Sequence, residues 1–208
     1  MEDTVIGLDS HTVENRKVVL ENDMIEQWSS VNKESDGLYA ALARLLDEHE
    51  MDIQGFLGSD DVQEEYLEAV FYDMVEVLQY NSTSGIFLVL GNDKSTEEEC
   101  EYNGFWVRDS DPMTKTASYA DLQMERGSKK LSQSMSISLD TSWHTDFHFQ
   151  GNGKRDADDF FYQPYITAEN YVDSRTSMKN LGYWSKPFIL EDFYKDNHKM
   201  ITYSAPLV

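Results

Sequence analysis

A single cysteine, four prolines and few basic residues are the first shortages in this 208-residue chain. Cys100 stands alone, so no internal disulfide can close and packing must hold the fold. No apolar run approaches the ~20 residues that a membrane-spanning helix needs. Met1 to Ser10 lacks the basic and apolar stretches of a signal peptide. Seventeen Lys and Arg face 39 Asp and Glu, a net charge of −22. A field of that sign repels phosphate backbones and anionic headgroups, which argues against nucleic acid and against binding to a membrane surface. Motifs of catalysis are missing as well: no Gly-x-Ser-x-Gly, P-loop, His-Glu-x-x-His or Cys–His pairing occurs, and no cofactor is expected. The acidic runs at Glu97–Glu99 and Asp156–Asp159 lack the Asp-x-Asp-x-Asp-Gly order of a calcium loop and read as solvated loops.

What is present suffices for a core, at 40% hydrophobic and 12% aromatic residues. Apolar residues spaced by three and four (Val18, Ile25, Trp28, Val31, Leu38, Leu42, Leu45 and His49) predict one long helix from about Asp9 to Glu48. Gly55 and Gly58 punctuate its end. Asp60 then offers an N-cap with Gln63 as capping-box partner, opening a second helix with Val62, Tyr66, Val70, Met74 and Val77 on one face. Past Asn81 the period changes. Ile86–Leu90 reads as a strand buried on both faces, and Gly104–Asp109 as its hairpin partner across a long acidic loop. A helix broken at Gly127 is expected over Tyr119–Met135, an extended stretch over Ser142–Phe149, and a short helix over Asp158–Tyr171. Strands at Trp184–Leu190 and Met200–Val208, joined by a turn containing Asp196-Asn197, close the chain. The last of these stops in mid-pattern, so the sequence is expected to be a piece cut from a larger protein. The class is α+β, a long N-terminal helix packed on an antiparallel sheet.

Several stretches carry a resemblance: Gly85–Leu90, Gly104–Asp109, Ser138–Trp143 and Asp159–Tyr165, with Leu181–Phe188 and Met200–Leu207 the most specific. Together they resemble the Cache family of extracytoplasmic sensor domains, PAS-like modules that precede diguanylate cyclase (GGDEF) or histidine kinase outputs in bacterial membrane receptors. The resemblance implies residues 1–80 as an N-terminal helical region and 81–208 as the PAS-like sensor module. It further implies a homodimer through the N-terminal helix, a small-molecule ligand, and a place on the extracytoplasmic face of the membrane. The membrane would be met only through transmembrane segments flanking this sequence. A PAS-like sheet has five strands, and the one expected after Val208 is absent here. The family's amino-acid-binding pattern is not clearly present, so ligand class does not carry over.

Set beside that resemblance, the dense aromatics suggest a pocket, since small-molecule sites are mostly apolar with a few placed polar groups. The candidate ligand-binding residues are Trp106, Arg108, Trp143, Phe161, Tyr165, Tyr183, Trp184 and Phe188. Two readings stand for Arg108: a clamp for a ligand carboxylate beside Trp106, or a surface ion pair with Asp109 or Asp111. His144, Asp146 and His148 would project from one face of a strand and are competent zinc ligands. Trp143, Phe147 and Phe149 alternate with them, which makes the His/Asp side an ordinary solvent face. A sensor without catalysis is the leading expectation. A carboxylate-dependent glycoside hydrolase and a non-binding dimerisation stalk are the competing ones.

Overall fold

The computed structural model describes residues 2–80, 83–91, 99–111, 120–139, 147–150, 160–164, 166, 182–187 and 201–207. The fold is mixed α+β, with a long N-terminal helix and a small sheet that is mostly antiparallel.

Helix α1 (Glu2–Glu48) runs unbroken for 47 residues, about 70 Å at 1.5 Å per residue. Its C-terminal half is held: Leu38 and Leu45 are buried, and Ala41, Leu42 and Leu46 pack beside them. Steps of seven and four back from Leu38 pass through Val31, Met24, Leu20 and Val13, the line that continues the buried face. Val18 and Ile25, placed on that line by the sequence, stand about a third of a turn away and are exposed. A short helix, α2 (Ile53–Leu57), follows; the Asp52 carboxylate caps it by accepting from the Gly55 N–H at 2.9 Å. Gly55, read as punctuation, lies inside this turn.

Helix α3 (Asp60–Tyr80) is the middle layer. Its predicted stripe proves too narrow, because Leu67, Phe71, Val75 and Leu78 are buried along with Tyr66, Val70 and Met74, whereas Val77 is half-buried. The cause is cover on two sides, by α1 and by the sheet. The capping box does not form either. The Gln63 N–H donates to the Ser59 carbonyl at 3.0 Å, so Asp60 is already helical and the cap position falls one residue earlier than expected. Its buried side chain does other work: Nε2 lies 3.1 Å from each of the Phe56, Leu57 and Gly91 carbonyls, and Oε1 accepts from Asn103 Nδ2 at 2.5 Å.

Strand β1 (Gly85–Leu90) pairs antiparallel with β2 (Glu99–Asp109), Phe87 opposite Trp106 and Leu88 opposite Phe105. Leu88 and Leu90 are buried while Ile86, Phe87 and Val89 are half-buried, so β1 is not equally buried on both faces as expected. The helix expected over Tyr119–Met135 is instead a strand, β3 (Leu122–Arg126), and a helix, α4 (Lys129–Met135). Leu122 and Met124 alternate with polar Gln123, a period of two. Gly127 then turns the chain at φ +142°, and Ser128 Oγ caps α4 by accepting from the Leu131 N–H at 2.9 Å. That crossover lets β4 (Ser138–Leu139) join β3 in parallel, a departure from an all-antiparallel sheet. Strand β5 (Phe147–Gln150) extends the sheet beside Glu99–Tyr102 of β2. Residues 160–164 are helical. The late strands shorten to β6 (Tyr183–Trp184) and β7 (Tyr203–Ser204), which form a ribbon of their own outside the main sheet. The turn at Asp196-Asn197 lies outside the described residues.

One core thus runs from Leu38 and Leu45 through α3 to Phe105, Val107 and Met124. Phe71 meets Phe105 edge-on at 5.1 Å, and the Tyr66 hydroxyl donates to the Leu38 carbonyl at 2.9 Å. Burial, with Asp73 and then Glu76 nearby, raises the Glu34 pKa above its ordinary value despite Lys33.

Two outcomes follow from this packing. Gln63→Leu takes the side-chain donor from the Leu57 and Gly91 carbonyls and should cost about 3 kcal/mol in urea denaturation. Glu34 binds its proton more tightly folded than unfolded, so its burden on stability appears as pH rises above the unfolded value of 4.5. Glu34→Gln should therefore raise Tm at pH 7, and the gain should vanish once the carboxyl is protonated in both states. A gain that is constant with pH would mean that the charge is not the cause.

Candidate outer-face site

The outward surface of the sheet is set by alternation along β2. Phe105 and Val107 turn inward to α3, so Trp106 and Arg108 point to the opposite side, beside Phe87 and Gly85 of β1. Gly85 is needed there, because a Cβ would stand 2.9 Å from Trp106 Nε1. Phe87, Trp106 and Phe160 form a three-ring cluster with centroids 5.0 to 5.7 Å apart. Trp106 and Phe160 are buried in it, and Phe87 is half-buried. Phe161 is half-buried next to them, edge-on to Tyr162 at 5.2 Å.

β3 supplies the charge. Trp106 pairs with Arg126 but Val107 with Met124, so a β-bulge at Glu125 breaks the register. Gln123 stands opposite Arg108, and alternation from it puts Glu125 on the Arg108 side, its side chain only 2% exposed and its Oε1 2.9 Å from Arg108 Nε. Arg108 Nη2 also donates to Gln123 Oε1 at 3.5 Å. The ion-pair partner of Arg108 is therefore Glu125, not Asp109 or Asp111. Asp109 is occupied otherwise, accepting from the Asp111 N–H at 2.8 Å. Burial raises its pKa, offset by that hydrogen bond, with Asp121 and Asp111 adding to the rise. The Arg108 side chain stays 26% exposed, at the edge of the aromatic wall. A guanidinium held by a buried carboxylate is fixed in place to meet an acidic group, and Phe87, half-buried, is the ring of the cluster with surface left to offer.

Of the residues expected at the site, Trp106 and Arg108 share this face and Phe161 follows Phe160 in sequence. Tyr183 and Trp184 belong to the separate ribbon. Trp184 packs on Tyr203 at 5.1 Å, and the Tyr203 hydroxyl accepts from Asn32 Nδ2 of α1 at 3.5 Å. The ribbon is closed by Ser185, whose N–H donates to the Thr202 carbonyl at 2.8 Å and whose Oγ accepts from the Thr202 N–H at 3.0 Å. Trp143, Tyr165, Phe188, His144 and Asp146 lie outside the described residues. His148 sits opposite Glu101 in the β5–β2 ladder. Among the described residues no three His, Cys, Asp or Glu side chains gather as a metal site, and no helix is long and apolar enough to cross a membrane. The sequence predicts helix for the segment that holds Glu125 and Gln123, so neither is among the expected site residues. Read with period two, Leu122–Arg126 puts both on one face.

Compared with protein-family models, curated proteins and solved structures, the chain gives no match.

Arg108→Met leaves the Glu125 carboxylate buried without its cation and should cost about 3 kcal/mol in thermal denaturation. Adding Glu125→Leu should recover most of that loss. Single changes that each cost well under about 1 kcal/mol would show a solvent-screened pair instead of a built one.

Proposed function

We propose that this chain is a ligand-sensing module of the Cache type, which holds a small molecule against the outer face of its sheet. The observation that carries the reading is Arg108, pinned by the buried Glu125 at the rim of the Phe87–Trp106–Phe160 wall. That pairing of a fixed cation with apolar rings favours a planar molecule bearing an acidic group. We infer binding without catalysis.

Signal transfer follows from the layers. α3 packs against both α1 and β1–β2, so a guest that alters the sheet reaches α1 through α3. The β6–β7 ribbon offers a second route, through Tyr203 and Asn32. A ligand shifts such packing only by its difference in affinity for two arrangements. In the full receptor, α1 would lead to a transmembrane segment and a cytoplasmic diguanylate cyclase or histidine kinase, with this module on the extracytoplasmic side.

A thermal-shift screen of planar carboxylic acids, amino acids and nucleobases tests the reading. One class should raise Tm saturably, by an amount equal to about 2.7 kcal/mol at a hundredfold excess over Kd. Arg108→Lys and Phe87→Leu should abolish the shift and leave the far-ultraviolet spectrum intact. A shift lost on Trp184→Ala yet kept on Arg108→Lys would move the ligand to the ribbon on α1. No response across the three classes would count against an outer-face site.

A further inference from the structure

Among the described residues ten large apolar side chains are exposed, and five of them, Val13, Val18, Val19, Leu20 and Ile25, fall in one short stretch of α1. They lie on more than one side of the helix. Val13 and Leu20 continue the line of Leu38 and Leu45. Val18 and Ile25, 47% and 57% exposed, belong to a second line that steps by sevens through Asn32, Tyr39 and Leu46. The C-terminal members of this second line are occupied. Leu46 packs beside the core, Tyr39 is half-buried, and Asn32 donates to Tyr203 of the β6–β7 ribbon at 3.5 Å. Beyond Asn32 the line runs into solvent through Ile25 and Val18.

We propose that the Val18–Ile25 line docks a basic amphipathic helix of a partner protein. A helix with exposed apolar residues on two sides belongs in a bundle, because one neighbour covers only one side. A second copy packed along Val13 and Leu20 would leave Val18 and Ile25 bare. Charge then names the occupant. Glu14 and Glu21 stand four residues before Val18 and Ile25, one turn away on the same face, and both side chains are more than half exposed. The first 32 residues carry seven Asp and Glu against two cations, Arg16 and Lys17. Lys17 is already engaged, 3.8 Å from both Glu14 and Glu21. The charge left over is negative. A helix with Lys or Arg beside its apolar stripe is attracted, whereas a second acidic helix or an anionic bilayer is repelled. This docking is independent of what the outer face of the sheet binds.

Isothermal titration of the full chain at low salt tests this, with a peptide of about 20 residues carrying Leu at helical spacing and Lys elsewhere. One peptide per chain should bind saturably. A scrambled peptide of the same composition, and a Leu/Glu counterpart, should not. Val18→Gln with Ile25→Gln should weaken binding about a hundredfold, while Leu20→Gln on the other line leaves it unchanged. Glu14→Gln with Glu21→Gln should weaken binding and flatten its salt dependence. These side chains are exposed, so the Tm of the free chain should hold in every variant. Binding that survives the Val18 and Ile25 changes, that the scrambled peptide reproduces, or that Leu20→Gln abolishes overturns the proposal. Absence of binding overturns it too, as does a dimer of the free chain in sedimentation that Val18→Gln with Ile25→Gln abolishes.

Discussion

Burial of α3 on two sides is the constraint from which the rest follows. Nine of its residues are buried, and they face α1 in one direction and the sheet in the other. Among the described residues, this layer joins the long helix to the main sheet, with Phe71 edge-on to Phe105 of β2 and Tyr66 bonded to Leu38. Gln63 completes the arrangement by satisfying carbonyls at the ends of α2 and β1 that apolar packing would strand.

Because the inner face of the sheet is spent on α3, the chemistry falls to the outer one. There a single buried carboxylate changes what the surface can do. Alternation along β3 from Gln123 brings Glu125 to that face, where it gives Arg108 a buried anion at 2.9 Å. An arginine so held loses little freedom when it meets a ligand, which is the physical sense of preorganisation. Phe87, half-buried and backed by the buried rings of Trp106 and Phe160, supplies apolar surface beside it.

The long elements were legible in the sequence and the short ones were not. α1, α3, β1 and β2 announce themselves by sustained periodicity, and the pairing of β1 with β2 follows from it. The face of α1 was misjudged because small errors in angle accumulate over its length, so Val18 and Ile25 looked aligned with Leu38 when they are not. β3 was lost to the helical propensity of its neighbours, Lys129 to Met135, and only Gly127, at φ +142°, and the Ser128 cap separate the two. Trp106 and Arg108 were identifiable from alternation alone. Glu125 was not, since its segment reads as helix and the pairing of β3 with β2 leaves no mark in either strand alone. The ribbon of Tyr183 and Trp184 read as part of the main sheet because its aromatic pattern says strand without saying which partner.

For an event on the outer face to reach the long helix through the core, α1, α3 and the sheet must behave as one unit. Hydrogen exchange of the full chain, read by mass spectrometry, addresses this most directly. Amides of residues 38–48, of α3 and of β1–β3 should share one slowest class and respond together to denaturant. Residues 38–48 exchanging freely while α3 and the strands stay protected would contradict the account.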